Sequence, residues 1–172
     1  MTIDPNGQYT ATLATSDGNI GVELLPKVAP NAVNNFVFLA GNGFYKSTPI
    51  HRVINNFMFQ SGDPTGTGTG GPGYDLPDDK VPADMKYTKG VLAMANTGAP
   101  NSGGSQFFVM LGDVPLPPTY TIFGKVTSGL DVLDKIAKRP VTDNGQGENS
   151  KPTEPIGISN VTVTGPTPTP TP

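Results

Sequence analysis

The chain has 172 residues, 35% hydrophobic and 15% charged, with a formal net charge of −3. That length suits one folded domain with a buried core, and the slight acidity argues against a nucleic-acid partner. No cysteine and a single histidine are present, which excludes disulfides, thiol catalysis, cysteine-based metal sites and any multi-histidine metal centre.

The opening stretch "YTATLATSDGNIGVELL" predicts a hairpin. Tyr9, Ala11 and Leu13 alternate with threonines, Ile20, Val22 and Leu24 alternate with Gly21 and Glu23, and Asp17-Gly18 marks the turn. Residues 30–40 change period: Val33, Phe36, Val37 and Ala40 share one helical face, with Pro30 suited to its start and Gly41 to its end. Strand-like segments follow at 48–54, 57–61, 91–95, 106–111, 120–126 and about 156–163. A second helix is predicted over 127–140, capped by Ser128, with Asp131 and Asp134 early and Lys135, Lys138 and Arg139 late, and stopped by Pro140. Strands outnumber helices and do not alternate with them. The fold class is therefore mainly β, a closed eight-stranded antiparallel barrel capped by two α-helices.

Residues 1–7 read as an N-terminal extension, 8–164 as the domain, and the Thr/Pro-rich 165–172 as a tail or linker stub of extended, polyproline-like chain. The Thr-Pro steps of that tail are candidates to occupy a groove on a neighbouring molecule. No run approaches the roughly 18 consecutive apolar residues of a membrane span, and residues 1–30 show no leader pattern. Membrane insertion is not expected. A cytoplasmic location is the default, and an extracytoplasmic one applies if an export segment was trimmed.

Chemistry concentrates in "IHRVINNFMFQSGD" (50–63), where the one histidine, His51, stands beside Arg52 in a core-like run. Strand alternation puts His51 and Val53 on one face, and Arg52 with Ile50 and Ile54 on the other. Taken alone, His51 reads as a satisfied, partly buried histidine and Arg52 as a surface arginine with its stem over apolar neighbours. The glycine run "GDPTGTGTGGPGYD" (62–75) lacks the Gly-Lys-Ser/Thr ending of a phosphate loop and reads as a loop approaching another backbone closely. Neither a Gly-x-Ser-x-Gly elbow nor an Asp-x-Asp-x-Asp-Gly calcium loop is present.

Two stretches carry a resemblance: "HRVINNFMFQSGD" (51–63) and "VLAMANTGAPNSGGSQFFVML" (91–111) resemble the signature blocks of the cyclophilins, peptidyl-prolyl cis-trans isomerases with a helix-capped barrel. The likeness extends to "APNAVNNFVFLAGNGFY" (29–45), the glycine-rich loop and "TIFGKVTSGLDVLDKI" (121–136), in the family's order. It implies an isomerase of X-Pro bonds that needs no cofactor and acts on proline-containing peptides and unfolded or flexible chains, with a monomer as the default. The alternative is a proline-peptide binding module with little turnover.

By motif, Arg52 matches the catalytic arginine, and Phe57, Met58 and Gln60 match the pocket and hydrogen-bonding positions that follow it. Asn96 and Gln106 match groups that grip substrate backbone, Phe108 and Leu116 match the proline pocket, and His51 matches a supporting histidine. Tyr120 falls where many members have histidine. Several positions depart from the family pattern: Ile50 replaces a phenylalanine, Ser61 a glycine, and Ala99 lengthens the loop between Asn96 and Gln106. Pro115, within "DVPLPPTY" (113–120), stands where many members carry the tryptophan that helps hold cyclosporin, so strong cyclosporin binding is not expected. The resemblance requires the guanidinium of Arg52 to face an apolar notch.

Overall fold

In a computed structural model, which describes residues 3–166, the predicted hairpin forms from β1 (Tyr9–Thr15) and β2 (Gly18–Leu24), paired from Tyr9↔Leu24 to Thr15↔Gly18. Its two-residue loop is Ser16-Asp17, one position earlier than predicted, because the Thr15 hydroxyl donates to the Gly18 carbonyl and accepts from the Asp17 amide. Helix α1 (Pro30–Gly41) follows, with Pro30 in its first turn. Short strands then come in succession: β3 (Thr48–Pro49), β4 (Arg52–Ile54), β5 (Met58–Ser61), β6 (Val91–Met94), β7 (Phe107–Met110) and β8 (Ile122–Ser128). Helix α2 (Leu130–Ala137), β9 (Val141–Asp143), β10 (Asn149–Pro152) and β11 (Gly157–Thr164) complete the described chain.

The main sheet is antiparallel and curled, in the order β3-β11-β1-β2-β8-β6-β7-β5-β4. It holds nine strands rather than eight, because the segment predicted as one strand over 48–54 divides. Its first part pairs with β11 and its second with β5, with Ile50 and His51 between them. The Ile50 amide donates to Ile156 and the His51 amide to Gln60, so this single run of chain joins the two ends of the sheet. The break also corrects the predicted alternation: Ile50 is buried with Val53 in the main core, not on the face of Arg52.

The second helix is shorter than predicted, and Ser128 does not cap it. Strand β8 runs on to Ser128, opposite Gly21, and Gly129 takes the cap position at φ 84, a left-handed conformation that suits glycine. A Cβ at 129 would run into the Asn19 carbonyl. Strands β9 and β10, a separate two-stranded ribbon, were not predicted. Their "VTD" and "NSKP" are mostly exposed and show no apolar alternation.

Alternation along the central strands sorts side chains to two faces. Phe59, Leu92, Phe107, Val109 and Phe123 enter the main core with Val33, Phe36 and Leu39 of α1 and Leu133 and Ile136 of α2. Met58, Ala93, Phe108, Met110 and Ile122 face the other way, where Val81, Tyr87, Leu116 and Tyr120 from connecting segments cover them in a second cluster. The site is built on this second face.

Candidate active site

Register places the functional side chains in a row. Arg52 lies opposite Gln60, Gln60 opposite Phe108, and Phe108 opposite Ala93. Directly opposed residues share a face, so four neighbouring strands present one continuous stripe. The adjacent stripe, Ile54, Met58 and Met110, supplies apolar support. A rigid sheet thus carries an arginine at one end of an apolar floor.

Above that floor lies a notch of about 120 Å³ lined by Arg52, Phe57, Met58, Gln60, Ala95, Asn96, Phe108, Leu116 and Tyr120. It is well below the roughly 300–1,000 Å³ of a whole small-molecule pocket, a volume suited to one ring. Met58 and Phe108 are buried. Tyr120 stands edge-on to Phe108, with ring centroids 5.5 Å apart, and edge-on to Tyr87 at 6.4 Å. The Tyr87 hydroxyl donates to the Tyr120 carbonyl at 2.8 Å, which anchors the segment carrying Leu116 and Tyr120.

A polar chain runs along the edge of the notch. Arg52 Nη1 donates to Gln60 Oε1 at 3.3 Å, Gln60 Nε2 donates to Gln106 Oε1 at 2.8 Å, and Gln106 Nε2 donates to the carbonyls of Gly68 and Gly70, each at 2.9 Å. On its other edge the guanidinium is ion-paired: Nε donates to Glu148 Oε1 at 2.7 Å and Nη2 to Glu148 Oε2 at 2.6 Å. The Arg52 hydrogen bonds hold the Glu148 carboxyl down to about 2 against a partial burial that works the other way. Arg52 therefore lines the notch while its far edge is ion-paired to Glu148.

The glycine-rich loop hangs on Asp63. Its carboxylate is buried, which by itself would raise its pKa, yet hydrogen bonds from the Thr65 hydroxyl and the Gly70, Thr65 and Gly68 amides hold it well below the usual range. The loop does approach backbone closely, as predicted: Gly62 has φ 94, and a Cβ there would collide with the Ser105 carbonyl. Between this loop and residues 102–106 lies a second, open cavity of about 620 Å³, which also reaches Gln60, Ala95 and Asn96.

Of the residues singled out from sequence, Arg52, Phe57, Met58, Gln60, Asn96, Phe108, Leu116 and Tyr120 share the notch. Gln106 lies in the adjoining cavity. The amide of Asn96 is held within the protein, donating to the Thr119 carbonyl at 2.9 Å and accepting from the Gly98 amide. His51 is not in the notch. It lines a neighbouring groove that also takes in Arg52, Thr67, Gly68 and Glu148, because the chain turns between β3 and β4 at this residue. Its Nδ1 is buried without a hydrogen-bond partner, so the expected satisfied histidine is only half realised. Ala95 and Glu148 were missed. Glu148 is separated from Arg52 by 96 positions, and its "GQGE" context carries no signal that would relate the two.

Residues 10–163 match the family model described as cyclophilin type peptidyl-prolyl cis-trans isomerase/CLD. A probable peptidyl-prolyl cis-trans isomerase B of Mycobacterium tuberculosis is 44% identical over 92% of this chain, which spans 55% of that protein's length. A peptidyl-prolyl cis-trans isomerase of Helicobacter pylori is 47% identical over 78% of the chain and 83% of its own length. The crystal structure of a cyclophilin-type peptidyl-prolyl cis-trans isomerase from Cryptosporidium parvum superposes with a TM-score of 0.82 at 34% identity, covering 91% of this chain and 98% of the other. The same Cryptosporidium protein, determined in the presence of the dipeptide Ala-Pro, gives 0.81 at 34% identity over 90% and 98% of the two chains.

Proposed function

The chain belongs to the cyclophilin family of peptidyl-prolyl cis-trans isomerases, and on that premise we propose that it accelerates rotation about X-Pro bonds in peptides and in unfolded or flexible protein chains. The observation that carries the proposal is one permanent cation, Arg52, on the polar wall of a notch whose floor of Phe57, Met58, Phe108 and Leu116 is apolar and suited to a proline ring.

The prolyl amide resists rotation because its nitrogen lone pair is delocalised into the carbonyl, a barrier of about 18–20 kcal/mol. Twisting localises that pair on nitrogen and makes it an acceptor. A guanidinium stays charged at any working pH and donates to such an acceptor. The contact strengthens as the bond twists, so it favours the transition state over either planar isomer. A 10⁵-fold acceleration corresponds to about 7 kcal/mol, whereas one pre-aimed donor supplies about 2.7–4 kcal/mol.

Orientation provides the rest. Phe57, Met58, Phe108 and Leu116 hold the ring while the preceding carbonyl swings, and Gln60, Asn96 and Gln106 exchange internal hydrogen bonds for substrate backbone on either side. No bond is made to the enzyme, and the reaction needs no cofactor. We take the acting species to be a monomer. Pro115, at the tryptophan position, is exposed and outside the notch lining, which supports weak cyclosporin binding.

The test is exchange of an Ala-Pro peptide followed by NMR or a coupled assay. The full chain speeds cis-to-trans conversion, and Arg52→Ala cuts kcat/KM at least tenfold. A variant as fast as the parent would remove Arg52 from the mechanism. Peptide binding by the parent without faster exchange would establish a binding module instead.

A further inference from the structure

We infer that Glu148 is a positioning residue for Arg52: its carboxylate clamps one edge of the guanidinium so that the opposite edge is presented to Gln60 and the notch. The inference rests on the isomerase reading above and adds to it a residue that does not touch substrate.

A guanidinium has five N–H donors in a fixed planar fork. Glu148 takes Nε–H and one Nη2–H in a two-point contact, and Gln60 takes one Nη1–H. One donor remains on each Nη, and the plane of the group is set by three bonds to two different side chains. A long arginine side chain otherwise samples many rotamers, and ordering it at the moment of reaction carries an entropic cost. Paying that cost during folding leaves a pre-aimed donor.

The clamp itself is well held. Glu148 ends the turn between β9 and β10, where its amide donates to Asn144 Oδ1 and its carbonyl accepts from the Asn144 amide at 2.9 Å. Asp143 Oδ1 accepts from the Gly145 amide at 2.6 Å in the same turn. Side-chain exposures of 33% for Arg52 and 36% for Glu148 leave the pair in contact with water. Solvent-exposed pairs of this kind add little to stability, so the expected effect is on geometry.

The experiment compares the full-length parent with Glu148→Ala and Glu148→Gln, each also in an Arg52→Lys background. Exchange of an Ala-Pro peptide gives kcat and KM, and the rate of solvent exchange of the Arg52 Nε–H is read by ¹⁵N NMR. In Glu148→Ala we expect kcat to fall about tenfold, within the hundredfold that small misplacement of a reacting group costs, with KM within about twofold. Glu148→Gln, which keeps one acceptor, falls between the two. In the Arg52→Lys background the Glu148 changes have little further effect, since the coupling acts through Arg52.

Unchanged or faster turnover in Glu148→Ala, or an equal loss in both backgrounds, would overturn the inference. Should the parent prove inactive, the isomerase reading fails, and Nε–H exchange then decides for Glu148 alone. Acceleration of at least tenfold in Glu148→Ala supports the clamp, and an unchanged rate refutes it.

Discussion

His51 and Arg52 are neighbours in the chain and differ in every physical respect that matters. Burial pulls the imidazole pKa below its ordinary value and so favours the neutral form, with Asp63 pulling it up and Arg52 adding to the fall. A guanidinium is a permanent cation, and the Glu148 carboxyl is held down to about 2. Turnover by this site therefore has no titrating participant near neutrality. We expect kcat/KM for an Ala-Pro peptide to be level between about pH 6.5 and 8.5. A sigmoidal change centred below the usual histidine value, where burial puts the imidazole, would place His51 in the reaction.

At the scale of elements, the glycine-rich loop and the sheet depend on a few contacts that can be cut singly. Five donors from Thr65, Thr67, Gly68 and Gly70 converge on Asp63. Asp63→Ala strands them, and a hydrogen bond to a charged group contributes about 1.5–3 kcal/mol net, less where the freed donors reach water. We expect a fall in stability of at least about 2 kcal/mol by urea titration, with faster amide exchange across 64–73. Exchange at the parent rate in that loop would show that Asp63 does not organise it. Helix α1 docks through Phe36, whose ring centroid lies 5.1 Å from Tyr45, 5.4 Å from Phe123 and 5.6 Å from Phe107. Phe36→Ala should cost about 3–5 kcal/mol, again read from the urea midpoint.

For the molecule as a whole, the same groups set the response to acid. Asp63 and Glu148 have folded pKa values below their unfolded ones. Their contribution, small for the solvent-screened Glu148 pair, is complete above the unfolded carboxylate range and is lost as pH falls through it toward the folded values. His51 adds an earlier loss, since below about pH 6.5 the unfolded chain takes up a proton that the folded one resists. Asp79 opposes these, because burial raises its carboxyl and its protonation favours the fold. The urea midpoint should thus be level between about pH 7 and 9, decline slightly toward pH 5 and steeply below about pH 4.5, and fall again in alkali, where buried Tyr45 resists ionisation. A midpoint that rises on acidification would contradict the sign for Asp63 and Glu148.

Much of this was readable in the sequence, because local periodicity and turn chemistry act over a few residues. The hairpin, α1 and the two signature blocks all declare themselves within short windows, and most of the notch lies inside those blocks. Residues 167–172 of the Thr/Pro-rich tail, and with them most of its proposed docking, lie outside the described residues. What tertiary structure decided is of another kind. Division of 48–54 depends on β11 and β5 competing for one run of chain, and it is this division that moves His51 out of the notch. The ribbon of β9 and β10 has no apolar alternation to announce it, yet it brings Glu148 to Arg52. Sequence windows report which face a side chain prefers, whereas a contact between residues 52 and 148 exists only once the sheet has curled and its ends have been joined.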